Sequence, residues 1–343
     1  MSQSYILYRN MLKACLITIG LLVFSFQSAA SDLFENDLAL EVKLTGPLNS
    51  LIHHKKDERT YPFVLNTEGI DHQVLARARG HSRKKVCAFP PLRLEFGAGV
   101  PDKSVFFGQD DLKLVTHCNK SSKAQANTLK EYAAYRFFNL LSDASYRVRL
   151  LHIDYSDTEG KRNTDRWAYV IEPTGALADR IGGERARLPA ISQKSLNDQQ
   201  EALVYVFQYL IGNTDWSMVS EENSDECCHN GKLIKKDQKL LYVPYDFDLA
   251  GLVNASYAHP DPSFRIKRVT QRLYRGFCMD QQVLGSAIQK VRSHETDFQK
   301  IVDNLPVVSK SVKTKMHRFL DRFFKEANNE DKILESFEKR CLD

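Results

Sequence analysis

The stretch "NTLKEYAAYRFFNLLSD", residues 127–143, is where the chain changes its periodicity, and its reading decides the fold. Leu129, Tyr132, Ala133, Phe137, Leu140 and Leu141 recur at spacings of three and four, which predicts an amphipathic helix capped by Asn127 or Thr128. Upstream the period is two. "LALEVKLTG" (38–46), "HQVLARARG" (72–80), "PLRLEF" (91–96) and "LKLVTH" (112–117) alternate apolar with polar residues and predict short strands of an antiparallel sheet. Downstream, "RVRLLHIDYSD" (147–157) and "RWAYVIEP" (166–173) flank the polar turn "TEGKRNT" and predict a hairpin. From "SLNDQQEALVYVFQYLIGN" (195–213) the pattern is helical again, with Ser195 or Asn197 as cap and Leu203, Val206, Phe207, Leu210 and Ile211 on one face. "KLIKK" (232–236) and "LLYVPYDFD" (240–248) read as short strands, and "QQVLGSAIQKVRSH" (281–294) and "VKTKMHRFLDRFFKEANN" (312–329) as helices. The predicted class is α+β: a strand-rich lobe with one long helix over 31–175, then a mainly helical lobe over 176–343.

Composition agrees with a globular chain, at 43% apolar and 27% charged residues. Arg9 and Lys13 precede the apolar run Ala14–Phe26, and small residues follow at Ser28 and Ala30, so residues 1–30 read as a signal peptide cleaved after Ala30. That run falls short of the roughly 20 residues a membrane span needs, and no later segment could span. The expected location is exported, periplasmic or extracellular. Arg9 and Lys13 are the only charged residues of the segment, so its removal lowers the formal net charge from +5 to +3. So small an excess predicts no nucleic-acid partner, and "HHKK" (53–56) and "HSRKK" (81–85) read as solvated runs.

Six cysteines lie beyond that segment: Cys87, Cys118, Cys227, Cys228, Cys278 and Cys341. An even number in an oxidising compartment predicts disulfides, with the neighbours Cys227 and Cys228 bonding outward to different partners. A zinc site joining "THC" (116–118) to "CCH" (227–229) is the competing reading.

Two carboxylate segments suggest chemistry. "LIGNTDWSM" (210–218) places Asp215 after a helix end, and "YVPYDFDLAG" (242–251) places Asp246 and Asp248 on either side of an apolar position in a predicted strand. With Asn230 these are hard oxygen groups at segment ends: one can accept a proton from an attacking hydroxyl while others hold a divalent cation that bridges phosphate oxygens. Lys113 on a strand, followed by Glu131 on the long helix, offers a cation and an acid in the order a nucleotide site needs. "RARGHSR" (77–83) adds a glycine turn flanked by Arg77, Arg79 and Arg83, able to cover phosphates.

Taken in order, "RARGHSR", "LRLEF", "LKLVTHC", "EYAAYR", "YVIE", "GNTDWS", "CCHN" and "YVPYDFDLAGLV" resemble the secreted atypical kinases of the spore-coat CotH type and, more distantly, the HipA-like kinases, over roughly residues 70 to 255. The resemblance implies a bilobal protein-kinase-like fold. It implies Asp215 as catalytic base, Asn230 and Asp246 as metal ligands with Asp248 as a reserve, and Lys113 paired with Glu131 to orient the nucleotide beside Arg79. Arg93 in "PLRLEF" is a second candidate for the lysine's part. The implied activity is a phosphotransferase or nucleotidyl transferase that uses ATP or another NTP with Mg2+ or Mn2+ on a protein or small hydroxyl acceptor. The alternatives are a non-catalytic, disulfide-stapled binding or scaffold protein, and a metal hydrolase using Asp215, His229, Asp246 and Asp248.

Overall fold

The computed structural model describes residues 32–97, 99–219 and 226–342; the expected signal segment, residues 1–30, lies outside them. The first half closes on itself. Strands β1 (Leu40–Gly46), β2 (Tyr61–Thr67), β3 (Ile70–Ala78), β4 (Leu92–Phe96), β5 (Asp111–Val115), β6 (Val148–Asp157) and β7 (Thr164–Ile171) form a closed barrel in the order β1-β2-β3-β4-β5-β7-β6. Every pair in it is antiparallel except β1 with β6. The sheet is therefore mixed and edgeless, where alternation alone predicts an open antiparallel one. Closure removes the unpaired strand edges that an open sheet would expose.

Inside the barrel, alternate residues of each strand form one apolar cluster, among them Leu44, Phe63, Leu65, Leu92, Leu94, Leu112, Leu114 and Leu151. At the parallel seam, His152 of β6 stands between Glu41 of β1 and Asp165 of β7, with Nδ1 2.8 Å from Glu41 and Nε2 2.7 Å from Asp165. Its ring stacks on Trp167 at 4.7 Å. Burial opposes the imidazolium charge, but its hydrogen bonds to Glu41 and Asp165 outweigh it and raise the His152 pKa. A raised folded-state pKa means that the seam's contribution is complete below the ordinary histidine value near 6.5 and is lost as pH climbs through the folded value. For this partly exposed group, whose carboxylate partners face solvent, it amounts to no more than about 1 kcal/mol. His152→Gln should flatten that part of the melting-temperature profile between pH 6 and pH 8 by about 2–4 °C in a thermal scan.

The long helix α3 (Ser122–Leu141) starts earlier than its apolar face suggests. Ser121 Oγ, rather than Asn127 or Thr128, accepts the first amide, from Ala124 at 3.1 Å. Its apolar face belongs to a second cluster, built with α5 (Asp198–Ile211), α6 (Gln281–Ser293), α7 (Glu295–Asp303), α8 (Lys310–Ala327) and α9 (Glu330–Glu338). Short helices α1 (Leu48–His53), α2 (Ser82–Val86) and α4 (Thr174–Arg180) fill the connections. A small sheet of β8 (Glu184–Ala186), β9 (Gly231–Lys236) and β10 (Lys239–Pro244) runs in the order β10-β9-β8. Asn197 caps α5 through Gln200 N–H at 3.0 Å. Gly212, at φ +63, ends it, and Asn213 N–H closes back on Gln208 at 2.8 Å. That tight exit fixes where Asp215 emerges. The chain is thus α+β, with a strand-built first half and a mainly helical second half, and no helix among the described residues is long and apolar enough to cross a membrane.

Among the described residues three disulfides are present: Cys87–Cys118, Cys227–Cys228 and Cys278–Cys341. The neighbouring cysteines bond to each other instead of outward to different partners. With Cys118, Cys227 and Cys228 all spent in this way, the zinc reading loses its sulfur ligands. No group of three His, Cys, Asp or Glu among the described residues is placed to hold a metal ion.

Candidate functional site

Glu131 on α3 is buried, and a buried carboxylate needs a partner. The partner is not Lys113, as the sequence order suggests, but Arg83 on α2. Arg83 Nη2 donates to Glu131 Oε2 at 2.5 Å and Nε to Asp248 Oδ2 at 2.8 Å, with Asp246 Oδ1 at 3.7 Å from Nη2. A guanidinium's planar fork reaches two carboxylates at once, which a lysine ammonium on β5 does not match. Tyr257 also donates to Asp248 Oδ2, at 2.9 Å. Of the two aspartates in "YDFD", Asp248 is therefore Arg83's closer counter-ion.

One guanidinium facing three carboxylates leaves an excess of negative charge. Burial pushes the Glu131 carboxyl up to about 7 against the pull of Arg83, with Asp248 and Asp246 adding to the rise. Asp246 is also raised, by desolvation first and then by Asp248, while Arg83 and Arg79 oppose and Asp215 adds a smaller push. Another cation would relieve this imbalance.

Asp246 does not lie in a strand. Strand β10 stops at Pro244, and Asp246 takes the left-handed conformation at φ +62, its N–H donating to Tyr135 of α3 at 2.9 Å. The cost of that backbone, of order 1 kcal/mol or more, is offset by the bond to Tyr135 and turns the carboxylate outward, 46% exposed.

Asp215 is held from both sides. His229 Nε2 lies 2.8 Å from its Oδ1, and Asn230 Nδ2 donates to its Oδ2 at 2.8 Å and to its carbonyl at 2.7 Å. Asp215 and Asn230 are 15 residues apart in the chain, yet Ser217 N–H bonds His229 O at 3.1 Å, so the ends of the intervening loop meet. Arg275 fixes the carbonyls on either side of Asp215, donating to Thr214 O and to Trp216 O. Tyr245 N–H bonds Asn230 O at 3.0 Å, which places the Asp215–His229–Asn230 group next to the Asp246 turn.

Lys113 points out of the barrel between the inward Leu112 and Leu114, and its Nζ lies 5.3 Å from the centre of the Tyr245 ring. It has no ion-pair partner among the described residues. Burial first, then Arg79 and Lys232, bring its pKa down to about 8, with Asp246 pulling the other way. Arg93, the other candidate for this part, pairs with Asp111 at 2.7 Å. Arg79, Gly80, Arg83, Glu131, Tyr245 and Asp246 line one cavity of about 30 Å3, room for a few waters.

Of the seven residues expected at the site, Arg79, Glu131 and Asp246 therefore line that cavity, Asp248 shares Arg83 with Glu131, Lys113 and Asn230 both adjoin Tyr245, and Asp215 is bonded to Asn230. Sequence reasoning missed Arg83 as the pivot, Tyr135 as the support of Asp246, and Arg275 and His229 as supports of Asp215. The only forward signal was that "RARGHSR" and "CCHN" contain two of them. The site can supply oxygen donors for a divalent cation. Asn230 spends its amide nitrogen on Asp215 and keeps Oδ1 without a donor among the described residues, and the nearest cation to the exposed Asp246 carboxylate is Arg83 at 3.7 Å. Mg2+ commonly takes one or two protein carboxylates, with water and phosphate completing its shell.

Among solved structures, the chain is similar to that of a Helicobacter pylori proinflammatory kinase, CtkA, at 13% identity and a TM-score of 0.39, over 73% of this chain and 90% of that one. No protein-family model matches the chain, and no curated protein does.

Proposed function

We propose that this protein is a kinase-like transferase of bilobal architecture, moving a phosphoryl or nucleotidyl group from ATP or another NTP to a protein or small hydroxyl acceptor with Mg2+ or Mn2+. The observation that carries the reading is the adjacency of Asp215, clamped by His229 and Asn230, to the exposed Asp246 and, through Tyr245, to the cation Lys113. In this reading Asp215 takes the acceptor's proton, Asn230 Oδ1 and Asp246 hold the metal, and Lys113 and Arg79 bind phosphate oxygens. The metal, when bound, neutralises charge that builds on the phosphates. The Arg83–Glu131–Asp248 cluster is a positioning device, tying α2 and α3 to the segment that carries Asp246.

The second reading is a non-catalytic, disulfide-stapled scaffold, and the cavity of about 30 Å3 favours it, because it is far smaller than a triphosphate. The discriminating test is the thermal shift of the chain from residue 31 onward with ATP and Mg2+ or Mn2+. A metal-dependent rise that Asp246→Ala abolishes supports the transferase; no shift with any NTP supports the scaffold.

Lys113 gives the transferase reading a pH signature. A phosphate beside it favours the ammonium, so binding raises its pKa from about 8. Affinity should be flat below pH 7 and weaken above pH 8, by up to about tenfold per pH unit. Isothermal titration from pH 6.5 to pH 9.5 reads this directly, and Lys113→Met should remove the slope along with much of the affinity.

A further inference from the structure

A second concavity lies behind the Arg83 cluster. It has a volume of about 910 Å3 and runs between the start of α3, the segment after Asp248 and the length of α8. Lys123, Lys130, Lys315, Arg318 and Arg322 line it, and none of the five pairs with a carboxylate among the described residues; Asp321 is the one acid in the lining. Lys130 is the informative member, since its residue is only 9% exposed. Its ammonium donates to the Val253 carbonyl, leaving two of its three protons for other partners. Burial and the neighbouring Lys123 and Lys315 bring its pKa down to about 8. A buried cation flanked by cations is costly, and an anion in the groove would reverse that cost.

The floor is apolar: Ala126, Leu252, Met316 and Phe319 lie beneath the cations, and Val307 projects at the rim, 70% exposed. The first residue of α3, Ser122, and the cap of α8, Ser309, also open on the groove, so the positive ends of two long helices face it. We propose that this groove docks an acidic segment of a partner polypeptide, apolar side chains on the floor and carboxylates against Lys130 and the α8 cations. The mixture of surfaces selects this occupant. A nucleic-acid strand would want several rings to stack on, whereas Phe319 is the single aromatic of the lining. A flat anionic bilayer would not reach a lysine at the bottom of a concavity. The assignment is independent of what the site at Asp215 does.

The test uses the chain from residue 31 onward and a fluorescein-labelled peptide in which glutamates alternate with leucine and phenylalanine, read by anisotropy in low-salt buffer. Binding should weaken at least about tenfold in Lys315→Glu/Arg318→Glu, whose side chains are exposed and whose fold is retained, and in Lys130→Met. The same peptide with glutamine for glutamate should not bind. Equal binding of the glutamine peptide, or unchanged binding by both variants, overturns the proposal. So does failure of the acidic peptide where a single-stranded oligonucleotide or a phosphatidylserine vesicle binds in a manner the two variants abolish.

Discussion

Arg83→Met should destabilise the protein by about 3–5 kcal/mol, the range seen when one member of a buried ion cluster is removed and its partners stay charged. Glu131 and Asp248 are both almost fully buried, and both depend on this one guanidinium at 2.5 and 2.8 Å. The loss should depend on pH with a definite sign. Without Arg83 the Glu131 carboxyl, already near 7 with Arg83 in place, stays above its unfolded value, so its penalty is small in acid and grows as pH climbs from the unfolded value toward the folded one. Urea denaturation at pH 5.5 and pH 8 therefore should show the variant closest to wild type at the lower pH. Adding Glu131→Gln and Asp248→Asn should recover most of the stability, since an uncharged, packed replacement of a buried ion cluster is often nearly neutral. A single variant as stable as wild type at both pH values would show that the cluster does not hold the two halves of the site together.

Asp215→Asn is the second large effect, and it should fall on rate instead of stability. A positioned general base is worth about 10²–10⁴-fold, so transfer from an NTP in the presence of Mg2+ or Mn2+, followed as nucleoside diphosphate or pyrophosphate release, should drop by that factor. The hydrogen bond with His229 is partly exposed, with side chains 36% and 38% accessible, so its loss should cost no more than about 1 kcal/mol. A variant that keeps the wild-type rate would remove Asp215 from the chemistry while leaving nucleotide binding at Lys113 and Asp246 open. A wild-type protein with no transfer to any acceptor would favour the scaffold reading.

What the sequence shows of this fold is what repeats locally. The face of α3, the alternation in β1, β3, β4 and β5, the β6–β7 hairpin and the helices α5, α6 and α8 follow from spacing, because a core-facing stripe must recur at the period of its backbone. The parallel β1–β6 pairing that closes the barrel joins residues more than a hundred positions apart, such as Leu40 and Leu151, and has no local signature. Strand β2 escapes because Pro62 interrupts its alternation near the start. The site divides in the same way. Asp246 stands out because two aspartates flanking an apolar position in a predicted strand ask for a reason, and Asp215 because it follows a helix end upstream of them, whereas Arg83 meets Glu131 across 48 residues and Asp248 across 165, and only the folded chain shows which cation satisfies which acid. The left-handed turn at Asp246 is hidden for another reason: an aspartate tolerates that conformation only with local help, and the help comes from Tyr135 on another helix.

The Cys87–Cys118 bridge has one consequence that reaches beyond stability. Cys87 directly follows α2, which carries Arg83, and Cys118 lies just past β5, which carries Lys113, with Phe89 N–H bonded to Cys118 O at 2.8 Å beside the bridge. A newly made chain with reduced thiols lacks this covalent clasp and must align its two central cations by packing alone. Oxidation is therefore an assembly step for the site, and a chain kept in dithiothreitol should show faster amide exchange in α2 than its oxidised counterpart, while the barrel interior exchanges at the same rate in both.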